Sequence, residues 1–92
     1  MNIVQIQYLL SCIQTHSIHK TAYKYNMSPQ GVSKAIRMLE QELGVLLIER
    51  STKGVKPTAN CEQMLDYFKA LSENYDMIMS YCHTVQKFLI PN

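Results

Sequence analysis

Between Ser28 and Arg37 the chain sets out six side chains suited to reading or gripping a polyanionic duplex: Ser28, Pro29, Gln30, Ser33, Lys34 and Arg37. Gln30 carries a donor–acceptor pair that matches an adenine edge in the major groove. Arg37 has a fork for guanine or phosphate, and Pro29 offers an apolar face to a thymine methyl. Ser33 and Lys34 suit phosphate or mixed contacts. Further along, Lys53 and Lys56 flank Gly54, with Arg50 just before them. A basic loop of this kind fits a phosphate backbone or a minor groove. Each feature also has a plainer reading: a polar helix face in water, a solubilising turn, and an Arg50 partly buried against Glu40. Spacing alone does not separate the two.

The scaffold that must position these groups is written in the periodicity. Ile6, Leu9, Leu10 and Ile13 recur at i, i+3, i+4 and i+7, which predicts an amphipathic helix over 3–15. Ser17 is an N-cap for a short second helix over 18–25, with Ile18, Ala22 and Tyr25 facing inward. Asn26-Met27 reads as a tight turn, since Asn tolerates left-handed backbone geometry. Ser28-Pro29 opens a third helix, because Ser caps and Pro is favoured where an N–H would go unpaired anyway. Val32, Ile36, Leu39 and Leu43 form its inner face and Gly44 stops it. The polar residues from Ser28 to Arg37 then project away from the core. Val45–Ile48 and Val55–Pro57 enclose the polar tip Ser51–Gly54, which predicts a small β-hairpin. Thr58 caps a fourth helix, with Glu62 and Asp66 near its start, where the helix dipole favours negative charge. From Ala59 to Ile90 no Gly or Pro interrupts it, and Pro91 ends it. Helices two and three, joined by a tight turn, form a helix-turn-helix unit, and the hairpin stands beside it as a wing.

The fourth helix carries its own signal. Met64, Phe68, Leu71, Tyr75, Ile78, Cys82, Val85 and Leu89 alternate in steps of four and three, a continuous a/d seam. A lone helix with such a stripe must bury it, and a second copy is the simplest partner, so a homodimer is expected.

With 92 residues the chain fits one small domain. Its net charge of +2 is unevenly spread. Residues 1–57 hold seven Lys and Arg against three Glu, net +4, while residues 58–92 hold two Lys against four acids, net −2. A basic front suits a polyanion, although charges covering solvated faces give the same sums. Cys12, Cys61 and Cys82 are odd in number and far apart, which argues against a disulfide framework and for a reducing, cytoplasmic setting. No apolar run approaches a membrane span, and the opening residues lack the basic-then-apolar pattern of a signal peptide, so none is expected. Cys12, His16 and His19 have spacing that two metal ligands would use, but no fourth ligand is evident, so neither a metal nor a cofactor is expected. No nucleophile–base arrangement, phosphate loop or carboxylate pair points to an enzyme.

The stretch from Ser28 to Arg50, SPQGVSKAIRMLEQELGVLLIER, closely resembles the LysR-type regulator signature S-x-x-A-V/L-S-x-x-I-x-x-L-E-x-x-L-G-x-x-L-F-x-R. Gln5-Ile6-x-Tyr8-Leu9, His16-Ser17-Ile18-x-x-Thr21-Ala22 and Val55-Lys56-Pro57-Thr58 are similar to the family's Q-L-x-Y-F, G-S-F-x-x-A-A and V-x-L-T. The resemblance covers residues 2–62. It implies a mainly helical, all-α winged helix-turn-helix with a three-helix core, a two-stranded wing and a long C-terminal dimerisation helix. Residues 1–57 would be the DNA-binding domain and 58–92 the linker helix. It further implies a homodimeric, sequence-specific transcription regulator bound to an interrupted palindrome in double-stranded DNA. The family's C-terminal effector-binding domain, of periplasmic-binding-protein type, is expected to be absent from this chain, as in a truncated piece or a naturally short regulator. The departures are Pro29-Gln30 for the commoner Gln-Pro order, Gly31 for Ala, His16, Ile18 and Thr21 for Gly, Phe and Ala, Ile48 for Phe, and Asn60-Cys61 for Ala-Gly. Two other classes remain open at this level: a pure dimerisation module and a winged-helix protein that binds another protein.

Overall fold

The computed structural model describes the backbone of residues 1–89 and side chains through Gln86. The elements run α1 (Ile3–Thr15), α2 (Ile18–Lys24), α3 (Pro29–Leu43), β1 (Ile48–Ser51), β2 (Gly54–Pro57) and α4 (Ala59–Leu89). Each helix start is fixed by a side chain that accepts an otherwise unpaired N–H. Asn2 and Gln5 form a reciprocal capping box on α1. Ser17 Oγ accepts from Lys20 N at 3.0 Å, Ser28 Oγ from Gly31 N at 3.0 Å, and Thr58 Oγ1 from Cys61 N at 3.1 Å. The corners turn through left-handed residues: His16 at φ 59°, Asn26 at 55° and Gly44 at 75°. Helix α2 closes one residue earlier than its periodicity suggests, with Tyr25 as its C-cap.

Leu9, Cys12, Val32, Ile36, Leu39 and Leu47 are fully buried, and Ile6, Tyr8, Ala22, Ile48, Val55, Cys61 and Phe68 complete the core. The departures from the family pattern at helix two are absorbed here. The buried hydroxyl of Thr21 donates to Ser11 Oγ at 2.8 Å, so a polar group in the core keeps a partner. Ile48 fills its site at 5% exposure.

The strands pair antiparallel in the register Ile48↔Pro57, Glu49↔Lys56, Arg50↔Val55 and Ser51↔Gly54. The apolar run Val45–Ile48 is not a strand, as its composition suggests; only Ile48 belongs to β1. The reason lies in α3. The buried carboxylate of Glu40 accepts the N–H of Leu47 at 2.7 Å and of Ile48 at 3.4 Å, and the carbonyl of Leu47 accepts Thr58 N at 3.0 Å. Backbone groups that a strand partner would take are already engaged.

Helix α4 has 31 residues, about 46 Å at 1.5 Å per residue. Its root is part of the core. Cys61 and Phe68 are buried and Met64 packs beside them. The seam expected from Met64 onward is therefore divided. Met64 and Phe68 are used within the chain, packed into or against its core, and the open stripe begins at Leu71. Leu71, Tyr75 and Ile78 are 43%, 37% and 62% exposed, Cys82 is exposed and Val85 half-buried. The side chain of Leu89, and Pro91 as the expected stop, lie outside the described residues.

Candidate nucleic-acid interface

The start of α2, the first turns of α3 and the wing β1–β2 enclose an open groove of about 540 Å³. Pro29, Gln30, Ser33, Arg37 and Arg50 line it, together with His16, His19 and Thr52. Gln30, Lys34 and Arg37 are exposed and Pro29 is half-buried at the first position of α3. Ser28 is engaged as the N-cap, which leaves its hydroxyl hydrogen free to donate. Lys34 lies on the same helix without lining the groove. Gly31 fits where its neighbours leave little room: a Cβ there would sit 2.9 Å from Met27 Cε and 3.1 Å from the capping Ser28 Oγ.

Ser33 does not project into solvent as its place on the polar face suggests. It is 7% exposed, and its Oγ accepts from Arg50 Nη1 at 2.5 Å. It lies beside Val32 at the edge of the core-facing stripe, and the guanidinium covers it. Arg50 is exposed rather than buried against Glu40, because the Glu40 carboxylate is taken by the backbone of Leu47 and Ile48. Arg50 is thus tied to α3 by one nitrogen, and the rest of its fork makes no hydrogen bond among the described residues. Lys53 sits exposed at the hairpin tip. Lys56 faces Glu49 across the strands at 3.6 Å, both side chains largely in water, where such a pair is worth little and releases easily to a phosphate.

Sequence reasoning missed the wing's other attachment. His16 ends α1 in the left-handed region (φ 59°, ψ 26°), which costs a residue with a Cβ about 1 kcal/mol. Its carbonyl accepts Val55 N at 3.1 Å, and its ring Nδ1 lies 3.3 Å from Val55 O. A carbonyl only accepts, so this bond places the ring proton on Nδ1. Val55 spends both backbone groups on His16, so the outer edge of β2 is covered at that point. Gly54, at φ 114°, passes so close that a Cβ would sit 2.4 Å from His16 O. The available signal was the family's Gly at position 16, which marks a left-handed corner. His16 and His19 line the groove while Cys12 is fully buried, so the three do not converge. Burial raises the Cys12 thiol pKa, with Thr21 and Arg50 opposing. Burial, helped by Glu62 and Glu40, pushes Cys61 up to about 11. Both thiols are unreactive packing groups.

Residues 3–62 match the family model described as bacterial regulatory helix-turn-helix protein, lysR family. A probable HTH-type transcriptional regulator, LrrA of Synechococcus elongatus, is 35% identical over 79 residues, which are 86% of this chain and 27% of that protein. A crystal structure of a BenM_DBD/benA site 1 DNA complex superposes with a TM-score of 0.82 at 28% identity, covering 92% of this chain and 96% of that one. An H2O2-bound OxyR variant from Corynebacterium glutamicum superposes with a TM-score of 0.86, also at 28% identity, covering 89% of this chain and 26% of that one. The chain spans about a quarter of the length of LrrA and of that OxyR.

Proposed function

Because the chain belongs to the lysR family of bacterial regulatory helix-turn-helix proteins, we propose that it binds double-stranded DNA sequence-specifically, as the DNA-reading part of a transcription regulator. The observation that carries this reading is the groove in which α3 presents Pro29, Gln30 and Arg37 while the wing presents Arg50 beside them. Its span and chemistry suit a helix in the major groove with a strand pair on the adjacent backbone or minor groove. Gln30 and Pro29 read bases. Ser28, Lys34, Arg37, Arg50, Lys53 and Lys56 hold phosphates, and Ser33 acts through Arg50. The open stripe of α4 pairs two copies, so that two α3 helices meet an interrupted palindrome. The relatives are transcriptional regulators rather than enzymes. Among the described residues no helix is long and apolar enough to cross a membrane, and the reading places the protein with DNA in the cytoplasm.

Selection of bound duplexes from a random pool, followed by fluorescence anisotropy at rising salt, tests this. Log affinity is expected to fall linearly with log salt, with a slope near −0.9 per phosphate neutralised; salt-independent binding overturns the reading. Gln30→Ala is expected to cost about 1–3 kcal/mol on the selected sequence and to relax base choice at one position. An equal loss on every sequence reassigns Gln30 to the backbone.

A further inference from the structure

The wing is tied down at both ends of one cross-strand pair. Val55 stands opposite Arg50 in the strand register. On one side, Arg50 Nη1 donates to Ser33 Oγ on α3. On the other, both backbone groups of Val55 go to His16 at the end of α1. A continuous path therefore runs from His16 through Val55 and Arg50 to Ser33, linking the first helix to the groove face of the third.

The main-chain half of the His16 link, Val55 N to His16 O, needs no particular side chain. The ring half does, and it exists at a position where the local backbone favours glycine. A residue held in the left-handed region against its own preference is maintained by the surrounding structure. Here the ring's bond to the Val55 carbonyl is the contact that only this side chain supplies. Without it, β2 is held at Val55 by one hydrogen bond instead of two. With the Val55 side chain still seated in the core, the paired strands gain latitude to twist at that point, and Arg50, directly across from Val55, shifts with them.

We propose that His16 is a positioning residue for DNA binding: its imidazole sets the angle of the wing and thereby holds the Arg50 guanidinium at the groove. The proposal rests on the reading of the groove as a DNA interface. His16 itself need not touch DNA; it acts through Val55 and Arg50.

The test is the His16→Gly variant, alone and combined with Arg50→Ala. Glycine takes φ 59° without strain, so the folded chain is retained and its melting temperature is expected to stay the same or rise. Duplex DNA from the pool selection is nonetheless expected to bind about fivefold more weakly, as befits loss of one link in a coupled pair. In the Arg50→Ala background the same His16→Gly change is expected to cost nothing further. In the free protein, 15N relaxation of the amides of residues 50–55 should show a wing more mobile in His16→Gly than in the parent. Parent-like affinity in His16→Gly, or an equal fold loss with and without Arg50, overturns the proposal while leaving the DNA reading intact. If the parent chain itself binds no duplex, the DNA reading fails. The relaxation comparison then still decides whether His16 holds the wing, and unchanged wing mobility overturns that as well.

Discussion

Glu40 is a charged residue at 8% exposure that makes no salt bridge among the described residues, and its position follows from what it accepts. Burying a carboxylate is unfavourable unless its oxygens are bonded. Two backbone N–H groups that would otherwise be orphaned in the turn to the wing satisfy it. Removing the side chain exposes the other half of the arrangement, since both donors then lie buried without a partner. Glu40→Ala is expected to destabilise the chain by about 2–3 kcal/mol, and Glu40→Gln, which keeps one accepting oxygen, by about half as much. Urea unfolding at fixed protein concentration measures both, and equal effects of the two substitutions contradict this account. Glu40 also shows where reading by residue type stops. Its place in the signature was visible, and Arg50 partly buried against it was one of the two readings open. The partners turned out to be backbone groups, whose availability depends on loop geometry that no spacing rule encodes. Ser33 failed in the same way: its helical phase put it at the rim of the polar face, and a long side chain from another element closed over it.

Among the elements, those with strong periodicity and clear caps were legible almost to the residue. Ser17, Ser28 and Thr58 each cap the helix assigned to them, and Asn26 makes the left-handed turn expected of it. The wing was legible as a hairpin but not as a docked one. Its attachment runs through residues 39 apart in sequence, and four-residue strands carry too little pattern to announce such a contact. Gly54 is the element's tightest point, combining a positive φ with a backbone oxygen where a Cβ would go. Gly54→Ala is expected to cost more than the roughly 1 kcal/mol of a left-handed alanine, because His16 O is a main-chain atom that yields only if the corner moves. Thermal unfolding should show this as a Tm lowered by at least about 4 °C. A neutral Gly54→Ala variant would mean that the wing lifts off the α1 corner readily.

At the scale of the whole molecule, the extent of 52 Å along the long axis is set by α4, which outruns the rest of the fold. The four-and-three alternation was legible along the helix, but which part of it stays open was not. Alternating steps of four and three say which residues share a face and nothing about which part of that face the chain's own core consumes. Phe68 goes inward and Leu71 onward stays open. A dimer is therefore expected to depend on the second half of the helix. Ile78→Glu should leave the fold intact, since Ile78 is exposed, and should shift the sedimentation of the chain at micromolar concentration from dimer to monomer. Sedimentation of the parent as a monomer, or of the variant as an undiminished dimer, contradicts pairing through this stripe.

The rooting of α4 also makes it a lever. Phe68 and Cys61 form its fulcrum, and about 21 residues of arm reach on to Leu89, roughly 31 Å at the helical rise. A tilt of about 10° at the fulcrum sweeps the far end through about 5 Å, close to one helical turn. Mechanical advantage of this size means that small packing changes beside Phe68, out of sight of any partner, are magnified into large displacements of whatever the arm carries. The socket at the root of the helix, more than its exposed length, fixes where the load comes to rest.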